Sequence, residues 1–421
     1  MNLGGGTQNS IPGVCRERAL YLSRYLAVLV TGFVVLAVSG GSRFAIGLTL
    51  KPMAADFDWS RSTVSLAVLL FLVISSLCMY LSGRLADRYR LSYILASGLF
   101  ISAVGIGLIS AVLAPWQAFV LYGLVFALGN GLTSITPVGV MISRWFSERI
   151  GLANAVTISG MGFGQLFMIA ALASVMVQSG WRPVYLWLGI TNLLLVPFVL
   201  VSISKKMTQS SRQNDTSNDD EKSLDFAEAR RTPYFKWLTA LYMICGFQDF
   251  FVATHVVAFA QDQGIGTLIA GNILAVMGLT GLVGVLLAGL WSDKSNPLQP
   301  TLACFILRVL LFALILINQD NLSIAIFALG YGVTFWATAP LTVVFARNAF
   351  GLKHIGAVTG FVTMTHHMAG GFGAFVGGVI FDFSGDYVVA FALMLTMSIA
   401  AIVIGQKLRV PTRNFMKGSV G

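Results

Sequence analysis

Runs of about twenty apolar residues recur twelve times along this chain, and no other feature restricts its fold so severely. They lie near residues 25–50, 63–83, 92–114, 117–143, 150–177 and 184–204, and again near 237–260, 266–290, 301–318, 322–345, 355–381 and 387–406. Each is long enough to cross a hydrocarbon core of ~30 Å at a rise of 1.5 Å per residue. Lipid cannot satisfy exposed backbone N–H and C=O groups, so each run must be a helix. A water-soluble alternative is excluded by composition: 10% of the residues are charged, against about 25% in soluble chains.

One long polar, charge-mixed stretch interrupts the series. Residues 205–236 contain SRQNDTSNDDEKS and read as a solvated linker. It divides the chain into a tail at 1–24, a six-helix bundle at 25–204, the linker at 205–236, a second bundle at 237–406 and a tail at 407–421. The first tail is Gly- and Ser-rich, then basic, and lacks the short apolar core and cleavage site of a signal peptide. The net charge of +10 forms no basic stripe interleaved with aromatics, so nucleic acid is not an expected partner. It is a topology signal instead. Of the 27 Lys and Arg, Lys51, Arg61 and Arg182 fall on one side and Arg43 and Arg308 fall inside spans, leaving 22 in the tails and the opposite loops. That asymmetry places both termini in the cytoplasm. Cys15, Cys78, Cys245 and Cys304 are scattered without a C-x-x-C, so no disulfide framework is expected.

The two sets of six repeat one another. Gly83-x-x-x-Asp87 after helix 2 matches Gly289-x-x-x-Asp293 after helix 8. GNGLT followed by Pro137 in helix 4 matches GYGVT followed by Pro340 in helix 10, and GFG at 162–164 matches GFG at 371–373. The offsets run from 201 to 209 residues. The expected fold is therefore all-α and membrane-integral, with twelve helices in two pseudo-symmetric six-helix bundles and a binding site between them near the midplane. Gly129, Gly131, Pro137, Gly330, Gly332 and Pro340 should break helices 4 and 10, and such breaks often line a substrate path.

GRLADRYR at 83–90 resembles the helix 2–3 loop signature G-x-L-A-D-R-x-G-R of the major facilitator superfamily, with Arg90 and Leu91 departing from it. Six further segments in order resemble the monocarboxylate-transporter-like branch, which includes bacterial oxalate/formate antiporter-like carriers. They are GLTLKPMAADFDWSRSTVSLA, RWFSERIGLANAV, SGWRPVYLWLG, EARRTPYF, CGFQDFFVATHVVAF and FGLKHIGAVTGF…GGVIFDFSGDY. The resemblance spans nearly the whole chain and implies a secondary transporter working by alternating access. It also implies that Gly83 packs a tight turn while Asp87, with Arg88 and Arg144 or Arg149, latches a cytoplasmic gate. Gly289 and Asp293 are the second-half counterparts. The helix-8 arginine typical of that branch is absent, Val285 and Leu286 standing near its place. The resemblance therefore implies the transport class and not the cargo.

Six ionisable residues fall inside spans: Arg43, Asp249, His255, Arg308, His366 and His367. An Asp or Arg at mid-membrane costs about 2.5–3.5 kcal/mol on insertion scales, so each is a functional candidate. Asp249 sits mid-way along helix 7 as a lone carboxylate, and loss of hydration favours its neutral form, which suits proton coupling. Gln248 and His255, seven residues apart, share a face of helix 7 that is expected to reach the cavity. Arg43 is a fixed planar cation suited to a carboxylate. Arg308 is ~10 Å from the start of helix 9, a depth at which snorkelling or bracing a loop competes with substrate contact. His366 lies on the small-residue stripe Thr359, Thr363, Gly370, Gly373 and Gly377, where it either packs a seam or partners a proton or carboxylate. Tyr331 and Trp336 are candidate walls of the path. No metal site is expected, because the histidines have no carboxylate or cysteine at ligand spacing.

These residues point to transport of a small organic anion, most simply a monocarboxylate, linked to protons. Arg43, Gln248, His255, Tyr331, His366 and Arg308 would contact substrate, and Asp249, His255 and His366 would carry the proton. The alternative is efflux of a hydrophobic drug or metabolite by proton antiport. No enzyme is expected, because no HExxH, Walker motif or nucleophile–base set occurs. No cofactor is implied. The expected setting is a bacterial cytoplasmic membrane, with a monomer in the bilayer.

Overall fold

The computed structural model describes residues 11–146, 150–203, 226–350 and 355–409. Among these there is no strand, and twelve helical passes follow one another: α1 (Ile11–Phe57), α2 (Arg61–Arg88), α3 (Leu91–Gly107), α4 (Pro115–Ile142), α5 (Ile150–Ser179), α6 (Trp181–Ser202), α7 (Pro233–Asp262), α8 (Thr267–Lys294), α9 (Leu298–Ile317), α10 (Asn321–Phe350), α11 (Ile355–Ser384) and α12 (Val388–Gln406). Eleven of them are long and apolar enough to cross a membrane. The exception is α11, where His366, His367 and a run of glycines dilute the hydropathy of a 30-residue helix. Its length and its place between α2 and α7 make it the twelfth pass.

The first helix starts at Ile11, within the stretch read as a tail, and its apolar span runs from Tyr25 to Phe57. The helix of α2 continues to Arg88, so Gly83 lies within it and makes no turn. Most of the expected linker falls outside the described residues; its end carries a single turn at Phe226–Ala229 before Thr232 caps α7.

Packing repeats the sequence duplication helix by helix. In the first half α1 packs on α5, α2 on α4 and α3 on α6; in the second α7 packs on α11, α8 on α10 and α9 on α12. The halves meet chiefly through α2 against α11 and α5 against α8, with α1 against α7 between them. Both discontinuous passes break where expected. In α4 the helix stops at Leu132 and restarts at Ile135, and in α10 it stops at Phe335 and restarts at Thr338. In each case the proline, Pro137 or Pro340, is the third residue of the restarted helix, where its missing N–H leaves no intrahelical bond unmade.

Glycine makes the close approaches possible. A Cβ at Gly164 would strike the backbone of Ala37 on α1, and one at Gly373 the backbone of Phe247 on α7. Two residues earlier in each GFG, a Cβ at Gly162 would strike Leu282 on α8 and one at Gly371 would strike Leu69 on α2. Each GFG thus seats one glycine within its own half and one across the interface. Without Cβ atoms, backbones approach closely enough for dispersion and weak C–H···O contacts to hold helices that lipid does not push together.

Gly373→Val should destabilise the folded protein by about 1–3 kcal/mol through overpacking, read as a lower thermal midpoint in detergent. Gly360→Val, where nothing lies within 4 Å of the new Cβ, should leave the midpoint unchanged.

Candidate functional site

Asp249 is not the lone carboxylate that its surroundings in the sequence indicate. It is 2% exposed, and both of its oxygens are engaged. Oδ1 accepts from Arg308 Nη2 at 2.7 Å and from the Tyr331 hydroxyl at 3.0 Å. Oδ2 accepts from Cys245 Sγ at 3.3 Å and lies 3.3 Å from His366 Nε2. The sequence could not announce this group, because its members come from α7, α9, α10 and α11.

Arg308 is fully buried, which overturns the expectation that it snorkels or braces a loop. Its depth along α9 was readable, but its inward direction is set by acceptors on α7 and α10. A guanidinium has five N–H donors, and five contacts meet them: Nε to Thr334 Oγ1 at 3.0 Å, Nη1 to Gln248 Oε1 at 3.2 Å and Cys245 Sγ at 3.6 Å, and Nη2 to Asp249 Oδ1 and the Thr334 carbonyl. The cation also lies 4.8 Å from the centre of the Tyr331 ring. A charge taken out of water survives only when paired and hydrogen-bonded in this way. Tyr331 is correspondingly a member of the polar group and no cavity wall.

Gln248 and His255 do not reach a shared cavity. Gln248 Nε2 donates to the Met394 carbonyl and to Ser398 Oγ, both at 2.8 Å, tying α7 to α12. His255 is buried between Tyr387 and α11: Nδ1 lies 2.9 Å from the Tyr387 hydroxyl and Nε2 2.7 Å from the Ala374 carbonyl. One neutral tautomer satisfies both, Nδ1 accepting from the tyrosine and Nε2–H donating to the carbonyl. His367 turns its Nδ1 to the Thr363 carbonyl at 2.8 Å. His366, 17% exposed at its side chain, is the open edge of the Asp249 group.

Arg43 occupies a different environment. It is 8% exposed, its Nε has no hydrogen-bond partner, and its guanidinium carbon lies 4.5 Å over the Phe250 ring. The Tyr122 hydroxyl holds the Arg43 carbonyl at 3.1 Å. The guanidinium borders a small cleft between the halves, walled by Phe44, Val68, Phe71 and Tyr122 on one side and Phe250 and Thr254 on the other. Phe250 separates this cation from the histidine pair, its ring 6.1 Å from His366 and 5.5 Å from His367. Trp336 packs edge-on to Phe44 at 6.0 Å.

The residues assigned to a cytoplasmic gate are only partly in view. The side chains of Asp87 and Arg88, and Arg149 entirely, lie outside the described residues. Arg144 Nη2 donates to the Ala86 carbonyl at 2.7 Å, bracing α2 from α4's extension. Gly83 faces Thr136, while Gly289 has nothing within 4 Å of a Cβ and Asp293 is exposed.

The reason for expecting no metal also needs correction, because the fold supplies what spacing lacks. Cys245, Asp249 and His366 bring three ligand-type atoms within 4.8 Å of one another. The same atoms are hydrogen-bonded among themselves, and Arg308 already balances the carboxylate's charge.

Arg308→Gln should cost about 3–5 kcal/mol of stability by stranding the Asp249 charge. Adding Asp249→Asn should recover part of that loss, and thermal unfolding of both variants in detergent measures it.

The Major Facilitator Superfamily profile matches residues 32–374 and 259–419. The uncharacterized MFS-type transporter YcxA of Bacillus subtilis is 24% identical over 390 residues, covering 89% of this chain and 93% of YcxA. Monocarboxylate transporter 13 of Rattus norvegicus is 25% identical over 374 residues, covering 87% and 84%. Monocarboxylate transporter 11 of Homo sapiens is 24% identical over 396 residues, covering 91% and 83%. Among solved structures, the nucleoside transporter NupG superposes with a TM-score of 0.73 at 13% identity, covering 91% of this chain and 98% of that one. A bacterial homolog of the lysosomal transporter Spinster, inward-facing and occupied, gives 0.70 at 13% identity, covering 93% and 97%. With its duplicated six-helix halves and a match to that family over most of its length, this chain belongs to the major facilitator superfamily.

Proposed function

We propose that this transporter carries a small monocarboxylate together with a proton. The observation that carries the reading is the contrast between the two arginines buried inside spans, Arg43 and Arg308. Arg308 is neutralised by Asp249 at 2.7 Å, whereas Arg43, within reach of the Asp249 field but in no ion pair among the described residues, keeps its Nε unpartnered and borders the cleft between the halves. The fixed charges of this centre therefore sum to one excess positive, which one carboxylate balances. A guanidinium offers a carboxylate a planar two-pronged fit, and the Phe44, Phe71 and Phe250 walls suit a short apolar body once the cleft, closed here to about the size of a water, widens. Two of the relatives, of Rattus norvegicus and Homo sapiens, are named monocarboxylate transporters.

Proton linkage follows from the cargo's charge. An inside-negative potential opposes entry of a monoanion by about 2.3 kcal/mol per 100 mV, and an accompanying proton removes that opposition. His366 is the group placed to receive it, because it contacts Asp249 and keeps an open edge. Asp249 then holds Arg308 and positions His366. The Lys/Arg distribution supports both termini lying in the cytoplasm, and the compact loops fit a bacterial cytoplasmic membrane.

Uptake of labelled lactate, pyruvate and formate into proteoliposomes under an inside-alkaline gradient tests the proposal. Arg43→Gln should lower uptake by at least about 30-fold, the lower bound for removing one partner of a buried charge pair. His366→Gln should preserve exchange of labelled for unlabelled substrate yet abolish acceleration by the pH gradient. Carboxylate uptake absent from folded protein that confers resistance to lipophilic compounds would replace this reading with efflux.

A further inference from the structure

The end of the bundle where α1 meets α2 and α7 meets α8 gathers residues from two of the segments quoted above, GLTLKPMAADFDWSRSTVSLA and GGVIFDFSGDY, around Asp262. Arg61, the first residue of α2, is 8% exposed and grips Asp262 at the end of α7 with two bonds, Nη1 to Oδ2 at 2.6 Å and Nη2 to Oδ1 at 2.8 Å. Lys51 of α1 adds a third bond to Asp262 at 2.7 Å. The Arg61 guanidinium lies 3.5 Å from the centre of the Phe381 ring of α11, and its Nη1 also donates to the Tyr387 hydroxyl at 2.8 Å.

A second carboxylate works on the same turn. Asp382 of α11 accepts from the Arg61 backbone N–H at Oδ1 and from the Ser62 N–H at Oδ2, both at 2.9 Å. These are among the amides that a helix start leaves unpaired. Ser60 caps the next one, at Thr63, from within the chain. The start of α2 is thus capped partly by its own half and partly by the opposite one, and the Asp382 charge also faces the positive end of the helix dipole.

We propose that Arg61, Asp262, Asp382 and Lys51 form the outer gate of this transporter: a latch between halves that must open to admit cargo to Arg43 from the side opposite the termini. Every bond in it joins α1 or α2 of the first half to α7, α11 or the start of α12 in the second. Bidentate pairing, ring stacking and the borrowed cap all break together when the halves separate at this end. The latch also reaches the interior, since Tyr387 accepts from Arg61 and contacts His255, whose Nε2 meets the Ala374 carbonyl of α11. His255 is then a positioning residue for the gate. The inference rests on the two-half transporter fold and needs no particular cargo.

The test uses a membrane-impermeant maleimide applied on the latch side to full-length protein carrying Thr254→Cys, a position 2% exposed on the wall of the Arg43 cleft. The chain without that cysteine sets the background. Asp262→Asn, which loses both Arg61 and Lys51, should raise the labelling rate most, roughly ten-fold, the population shift expected when one of two competing states loses about 1.4 kcal/mol. Asp382→Asn should follow, then Lys51→Gln, whose exposed side chain can be changed without threatening the fold. Asp56→Asn removes the partner of Arg182 at the same end but within one half, and should leave the rate unchanged. Equal rates in all four variants, or a rise for Asp56→Asn as large as for Asp262→Asn, would overturn the proposal. If Asp262→Asn yields no folded protein, an unchanged rate in Asp382→Asn and Lys51→Gln overturns it as well. Because the readout is labelling, it is independent of whether carboxylate uptake is found.

Discussion

The 2.7 Å pair between Arg308 and Asp249 sets the terms for the second half of this molecule. Neither charge has water to fall back on, so every remaining donor and acceptor around them must be matched inside the protein. Matching them recruits Cys245 and Gln248 from α7, Tyr331 and Thr334 from α10 and His366 from α11, and Gln248 extends the chain of bonds to α12. One ion pair thereby fixes five helices relative to one another. Among the described residues the first half has no counterpart to this buried pair. That half is held by neutral bonds such as Asn130 to Ser39, Asn192 to Ser42 and Thr49 to Tyr185, and its mid-span guanidinium, Arg43, faces the cleft.

The halves are therefore alike in packing and unlike in chemistry. Duplication dictates which helices touch, because α1 on α5 and α7 on α11 repeat the same close approach. It does not dictate what the touching faces carry. The consequence is a division of labour in which the second half supplies a rigid, internally neutral polar group and the first presents an unbalanced cation. Phe250 stands between the two, covering Arg43 on one side and meeting the histidine pair on the other.

Much of the architecture was legible in the residues because membrane insertion writes it in one dimension. Span lengths, the repeated GFG and the paired breaks before Pro137 and Pro340 follow from local periodicity and from the rules of backbone satisfaction. Side-chain direction is not local. Arg308 reads as a snorkelling residue by depth alone, yet its acceptors on α7 and α10 draw it inward. Gln248 and His255 share a face by spacing, yet that face turns toward α12 and α11. The segments around Arg61 and Asp382 stood out in the sequence, but that they meet did not. The partners of Arg61 sit 201 and 321 residues away in sequence, at helix ends where charged residues are ordinary and individually uninformative.

The glycine seams have a mechanical meaning as well. Where α5 meets α8 and α11 meets α2, Gly162, Gly278, Gly371 and Gly378 bring bare backbone against the neighbouring helix. Side chains from across the seam rest on these bare patches, Leu282 on Gly162, Gln165 on Gly278 and Leu69 on Gly371, with no Cβ rising beneath them. Apart from the bond from Gln165 to the Leu274 carbonyl, motion along such a seam exchanges one set of shallow contacts for a similar set. The resistance is concentrated at the ends of the helices, where a few charged bonds must break together.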